Sequence, residues 1–221
     1  MLSPTHPFFQ TFVRLMERVA QHEPIYDLGT SSRFAKEMGF VEHLFQGKAY
    51  IAGGYHSDPL IPHACDIDCD VQDLKNIPTE SAGSMISLEV LEHVQDPVRC
   101  IAEAHRVLKR GGICLLSTPF MTGYHGKTKG SRDCSVHFVN DHASYADYWR
   151  FTHEGLIHLF TQAGFSSIQV FPINGPISAR LELLKLGKIL QKIRFLTAFI
   201  QKIEQPRLGK LTTRHFVLAI K

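Results

Sequence analysis

Two apolar runs with a polar-faced segment between them set the frame of this chain. Met85 to Leu88 and Ile113 to Ser117 show almost no polar alternation, the pattern of strands covered on both faces in a parallel sheet. The stretch between them predicts a helix. Asp96 caps it and Pro97 suits its first turn. Val98, Ile101, Ala102, His105 and Leu108 recur on one face, and Arg99, Glu103 and Arg106 on another. Lys109 and Arg110 suit its negative end, and Gly111 its left-handed closing position. A strand–helix–strand unit of this kind is a parallel crossover. In open sheets built from such units, ligands bind beyond the carboxyl ends of the strands. The chemistry is therefore expected in 88–93 and 118–125.

The same periodicities extend outward. Pro7 to Val19 predicts a helix with Phe8, Phe12, Leu15 and Val19 on its inner face. Pro24 to Gly29 predicts the first strand and its turn. A helix is expected from Arg33 to about Phe45, with Phe34, Met38, Val41 and Phe45 inward. Lys48 to Tyr55 predicts the second strand, and Cys65 to Leu74 leads through a third. Thr152 caps a helix whose inner face is Leu156, Leu159, Phe160 and Ala163, ended by Gly164. Ser167 to Pro172 and His215 to Ile220 predict the last two strands. The 177–203 stretch predicts one or two basic amphipathic helices. The fold class is α/β, with one sheet and helices on both faces.

Composition narrows the setting. A length of 221 residues suits one domain with additions, and 44% hydrophobic residues suffice for a core. The pieces expected are an N-terminal helix (1–23), a core (24–172) with a long loop (120–147), a basic helical extension (173–212) and a final strand (213–221). No apolar run approaches the ~20 residues of a membrane span, and the N-terminus does not read as a secretion signal. The five cysteines lack disulfide-scaffold spacing, so a reduced cytoplasm is the expected location. From Arg180 to Arg214 nine Lys or Arg face two Glu, a net +7 in a chain whose total is +3. Such a segment either contacts an anionic membrane surface or a second copy of the chain, or is a solvated face packed on the sheet. No RNA-binding aromatic motif accompanies it, so nucleic acid is not an expected partner.

EVLEHV followed by DP, a helix ending VLKRGG, a strand ending TPF, and the later DYWRFTHEGL and AGF resemble the class I S-adenosylmethionine-dependent methyltransferases. The likeness is to their small-molecule and sugar-modifying, type 11-like branch, over roughly 25–172. The resemblance implies a Rossmann-like fold with a seven-stranded, mostly parallel sheet and an antiparallel last strand. It also implies S-adenosylmethionine as cofactor, held by Asp27, Gly29, Thr30 and Ser31 after the first strand and by Gly54 and Tyr55 after the second. Asp70 or Asp73 would follow the third strand, and Leu88, Glu89 and His93 the fourth. In DLGTSSRF, Ser31 and Arg33 stand where the family has glycines. After the second strand Gly53, Gly54 and Tyr55 replace the acid that binds ribose, with Asp58 three residues on.

The loop from Phe120 to Asp147 falls where the family builds its acceptor site, and long loops in compact domains are usually functional. His125 is the expected catalytic residue, with His142 and Asp147 behind it, as base or orienting group for an acceptor hydroxyl. His137, Asp141 and His142 are an alternative ion-binding group. A zinc site at His63, Cys65, Asp66 and Cys69 is disfavoured, because a strand splays such ligands. The site is expected to work without metal. His93 is expected to fix the loop by a hydrogen bond, Arg150 to anchor it through a carboxylate, and His105 to sit in the core. The expected activity is O-methylation of a small-molecule or saccharide acceptor, as in polysaccharide biosynthesis. The rival reading is a non-catalytic binding or scaffold protein on a degenerate methyltransferase fold.

Overall fold

The computed structural model describes residues 7–55, 64–128, 143–183, 199–200 and 211–221. Nine strands and four α-helices are present among them: α1 (Pro7–Val19), β1 (Ile25–Leu28), β2 (Tyr50–Gly54), β3 (Ile67–Asp68), β4 (Ala82–Leu88), α2 (Pro97–Val107), β5 (Leu108–Pro119), β6 (Lys127–Thr128), β7 (Ala143–Tyr145), α3 (His153–Gln162), β8 (Ser167–Ile173), α4 (Pro176–Leu183) and β9 (Arg214–Ile220). Seven strands form one sheet in the order β3-β2-β1-β4-β5-β9-β8, while β6 and β7 form a separate small ribbon. The β1–β2, β1–β4, β2–β3 and β4–β5 pairs are parallel, and β9 runs antiparallel to both β5 and β8.

Alternation along the central strands divides the core in two. Cys114 and Leu116 of β5, with Val217 and Ala219 of β9, pack on one face against Cys100, Ile101, Ala104 and Val107 of α2 and Leu156 and Phe160 of α3. Ile113 and Leu115, with Phe216 and Leu218, pack on the other against Phe12, Leu15, Met16 and Val19 of α1. Burying each of the Val, Leu, Ile, Phe and Met side chains contributes about 1.5–3 kcal/mol, and the central strands contribute to both faces at once.

Three local expectations are corrected. The helix expected from Arg33 to Phe45 is two 3₁₀ turns, Lys36–Phe40 and Glu42–Phe45. Phe34 takes a left-handed φ of 51° and Val41, at φ −115° and ψ 6°, separates the two turns, although Met38, Val41 and Phe45 are still buried. The third strand lies where expected, within 65–74, and is two residues long. Helix α2 ends at Val107, before Gly111, because Leu108 turns extended and pairs with Ala82. Its buried face is Cys100, Ile101, Ala104 and Val107, whereas Val98 is 58% exposed. The caps stand where the sequence puts them: Asp96 accepts from Arg99 N at 3.0 Å, and Thr152 from Gly155 N at 3.1 Å.

Candidate functional site

The strand order reverses between β1 and β4, and the crevice at such a switch point is where open sheets bind ligands. The turn after β1 meets the turn after β4 there. Gly29 has φ +83°, and a Cβ on it would lie 2.4 Å from Val90 Cγ2, so only glycine fits. Gly29 N and Thr30 N both donate to Gly53 O, at 2.8 and 3.2 Å. The turn thus folds down on the end of β2, where Thr30 O would be 2.3 Å from a Cβ on Gly54. The glycine pair that replaces the family's acid has a local packing reason. Ser31 is exposed and its carbonyl accepts from Ala64 N at 3.3 Å. Tyr55 is 64% exposed.

Asp27 is 3% exposed and accepts a hydrogen bond from the Tyr50 hydroxyl. Burial pushes its carboxyl up to about 6, against the lowering effect of that bond. Burial and the neighbouring Asp27 also raise the Tyr50 phenol. The Arg33 guanidinium lies 5.5 Å from the Tyr50 ring centre and pairs with Asp66 at 2.9 Å. Asp70 is used locally, accepting from Gln72 N at 2.8 Å, and Asp73 lies 3.5 Å from Arg99.

The ends of β4 and β5 carry a denser set of ionisable groups. Leu88 closes β4 and is partly buried. Glu89 follows in a left-handed conformation, φ 54°, which is uncommon for a non-glycine residue and clusters at functional sites. Its N–H donates to Ser117 O at 3.1 Å, and Ser117 Oγ donates to its carboxylate at 2.8 Å. Arg214 of β9 lies 4.0 Å from the same carboxylate, so one cation of the basic segment belongs to this site.

Segment 146–150 docks on the turn after β4. His93 Nδ1 lies 2.5 Å from Ala146 O, the loop-fixing contact. Tyr148 N donates to Glu92 O at 2.7 Å, and the Trp149 indole N–H to Val94 O at 2.8 Å. Arg150 grips Asp147 through two hydrogen bonds, 2.5 and 2.7 Å, and donates to Gly123 O at 3.0 Å. Asp147 in turn accepts from His125 N at 2.8 Å and lies 3.3 Å from His125 Nδ1. Burial pushes the Asp147 carboxyl up, but the Arg150 and His125 hydrogen bonds and their charges outweigh it and hold the group below the usual range. His125 and Asp147 are thus brought together, whereas His142, with His137 and Asp141, lies outside the described residues.

Glu92 is the residue that sequence reasoning missed. Its side chain has no exposure, and Thr118 Oγ1 donates to its Oε2 at 3.3 Å. Burial, then the charge of Glu89, pushes its carboxyl up to about 8. Oε1 lies 3.5 Å from both His93 Nε2 and His125 Nε2, and the two imidazoles meet edge to face at 4.9 Å. Burial also lowers His93. An acid directly before a histidine in an otherwise apolar turn is the signal that was available.

A family model described as "Methyltransferase domain" matches residues 55–116. That stretch carries β4, the Glu92–His93 turn, α2 and most of β5. The chain has the Rossmann-like fold of the class I methyltransferases, and the family match itself spans 62 of its 221 residues. Its sheet order and antiparallel β9 agree with solved structures that share the fold. An S-adenosylmethionine-dependent methyltransferase from Mesorhizobium loti is 15% identical, with a TM-score of 0.55 and 96% of each chain covered. One from Archaeoglobus fulgidus is 16% identical, with a TM-score of 0.54, 96% of this chain and 93% of that one covered. The [4+2]-cyclase SpnF, 16% identical with a TM-score of 0.52, covers all of this chain with 85% of its own. At these identities the likeness is one of fold, and the chemistry must be read from the chain's own residues. No curated protein sequence matches this chain.

Proposed function

We propose that this chain is an S-adenosylmethionine-dependent methyltransferase that methylates an oxygen of a small-molecule or saccharide acceptor. The observation that supports the reading is the switch point of the sheet, where Gly29 of the β1 turn packs directly on Val90 of the turn after β4, and the β4 and β5 ends carry the buried Glu92 and the Asp147-held His125. S-adenosylmethionine supplies a methyl group already activated on a sulfonium, so the chain has to hold, orient, exclude water and take up a proton. Gly29, Thr30 and Ser31 offer a close backbone approach to the methionine part. Gly54 and Tyr55 flank the ribose position, with the Tyr55 ring free to cover the nucleoside. Asp70 or Asp73 serves the adenine side, and Leu88 and Glu89 line the crevice floor. His93 holds the 146–150 segment in place. His125, oriented by Asp147, faces the acceptor and handles its proton at the Glu92 side of the site.

Calorimetric titration with S-adenosylmethionine tests the binding half. Saturable heat and a raised melting temperature are expected; no heat at millimolar cofactor overturns it. In that case the scaffold reading takes over, which is favoured by one observation: among the described residues Tyr55, not an acid, follows β2. His125→Ala tests the acceptor half, with turnover falling more than ~100-fold while cofactor affinity holds. Arg180 is exposed on α4, and the 180–214 segment is the proposed contact with an anionic membrane surface. No helix among the described residues is long and apolar enough to cross a membrane. Co-sedimentation with anionic vesicles that disappears at high salt is expected; equal recovery with neutral vesicles overturns it.

A further inference from the structure

Glu92 and His93 come from the turn after β4, and His125 from the loop after β5. Their side chains converge on one point. Glu92 Oε1 lies 3.5 Å from His93 Nε2 and 3.5 Å from His125 Nε2, and all three atoms lie within 4.8 Å of one another. Gaps of this length are too long for good hydrogen bonds. They match the edge of a coordination shell, since ligand atoms about 2.1 Å from a tetrahedral ion sit roughly 3.4 Å apart.

A second observation points to a ligand independently. The Glu92 side chain has no exposure, and its Oε1 has no hydrogen-bond partner. An oxygen stripped of water and given no donor is costly, and this one faces the two imidazoles.

The rings are also set up from behind. His93 Nδ1 is 2.5 Å from Ala146 O. His125 Nδ1 is 3.3 Å from Gly123 O and 3.3 Å from Asp147 Oδ2. With each Nδ1–H donated to these oxygens, each Nε2 turns its lone pair toward Glu92. A carbonyl or carboxylate behind the ring is the arrangement that fixes the tautomer of metal-binding histidines. Arg150 holds Asp147 in this place through its own paired bonds. The His125 side chain is 39% exposed, so the cluster opens on one side and leaves a position for a further ligand.

We propose that Glu92, His93 and His125 bind one divalent transition-metal ion of the zinc class. Two imidazoles and one carboxylate suit Zn²⁺ or a neighbouring first-row ion, whereas Mg²⁺ and Ca²⁺ prefer oxygen-only shells. Three protein ligands and one open position are the composition of catalytic rather than closed structural zinc sites. Ligation would occupy the Nε2 lone pair of His125, so the inference rests on the proposed site but gives His125 the role of metal ligand in place of proton acceptor, and it leaves the cofactor half of the proposed function untouched.

The test uses the full chain, stripped with a chelator and dialysed. Zn²⁺ is titrated in competition with a chromophoric chelator, and Co²⁺ is followed by its visible absorption. One equivalent per chain is expected, with affinity falling at least ~10-fold in Glu92→Gln and in His125→Ala. The absence of a saturable equivalent in the wild type overturns the site. So does binding that survives both substitutions unchanged, which would place the ion elsewhere. His125 is the more exposed ligand, and its variant keeps the test decisive if Glu92→Gln fails to fold. Calorimetry with S-adenosylmethionine on the stripped wild-type protein reads the methyltransferase proposal separately, so either idea can fail alone.

Discussion

Two carboxylates, one in β1 and one on the segment after β7, are handled in opposite ways. Asp27, at the end of β1, is buried with a tyrosine hydroxyl for company, and burial raises its carboxyl to about 6. Asp147, beyond β7, is held by the paired bonds of Arg150 and by His125, and sits below the ordinary carboxylate range. The proposed cofactor side therefore shields a group that is easily neutralised. The proposed acceptor side keeps a fixed negative charge and holds it with an arginine. A desolvated carboxylate stays ionised only where positive partners more than offset burial. Under the proposed function, the contrast would give the two sides different work: shape and close backbone approach at Gly29, charge and proton handling at Glu92, His125 and Asp147.

The sharpest way to break this contrast is Arg150→Ala. It leaves the Asp147 side chain, which has no exposure, without its main partner. Removing one member of a buried pair costs about 3–5 kcal/mol, and because Arg150 is itself 26% exposed the lower part of that range is expected. Thermal or urea unfolding measures it. The pH sign follows from the lowered carboxyl: its stabilisation is present above the unfolded value of 3.8 and is lost as pH falls through the folded one. The variant should lose that acid-side dependence, and Asp147→Asn with Arg150→Ala should recover much of the stability. A wild-type melting curve in the single variant would mean that the clamp holds nothing.

Asp27→Asn probes the other side. The raised carboxyl gives the reverse sign. Its contribution is complete below 3.8 and is lost as pH rises through about 6. A difference of about two units corresponds to roughly 3 kcal/mol. The asparagine keeps an oxygen for the Tyr50 hydroxyl and removes the ionisation. It should melt several degrees above wild type at pH 8 and close to it at pH 4. Parallel curves for the two proteins across that range would show that Asp27 does not titrate as its burial requires.

Much of this architecture was legible in the chain. The apolar runs of β4 and β5, the caps at Asp96 and Thr152, and the antiparallel last strand implied by the family likeness all stand in the structure. Errors arose where tertiary pairing overrides local preference. Leu108 leaves α2 because Ala82 offers it a strand partner, which no helical periodicity reveals. Val98 and Ala102 are apolar yet lie on the outer side of α2, so their chemistry misphased the expected face. At the site, Arg150 and Asp147 are close in sequence, and an ion pair three residues apart is readable. Glu92 was signalled only by its place before His93, and its burial and partners were not readable, because they arrive from the loop after β5 and from segment 146–150. The Gly53–Gly54 pair registered only as a missing acid, and its packing under the β1 turn emerged with the fold.

Gly29→Ala sharpens the claim that the cofactor side works by shape. Alanine at φ +83° is strained, and its Cβ would lie 2.4 Å from Val90. A loss of stability above about 1 kcal/mol is expected, together with weaker S-adenosylmethionine binding by calorimetry. Adding Val90→Ala should return part of the affinity, because it removes the clash and leaves the strain. Unchanged binding in the single variant would separate the turn from the cofactor.

The smallest expected effect lies behind the charged side. Thr152 accepts from Gly155 N at the start of α3, two residues after Arg150. Thr152→Ala removes that cap and should cost about 1 kcal/mol. Its value lies in where the loss appears. Leu156 and Phe160 anchor α3 in the core, so the body of the helix should persist while its first turn frays. Fraying there loosens the backbone that presents Arg150, and through it Asp147 and His125. Amide exchange should therefore rise in 146–156 and stay at wild-type levels in 25–30. Exchange that rises equally on both sides would show that the cofactor turn and the acceptor clamp open as one unit, and would end the division of labour drawn from Asp27 and Asp147.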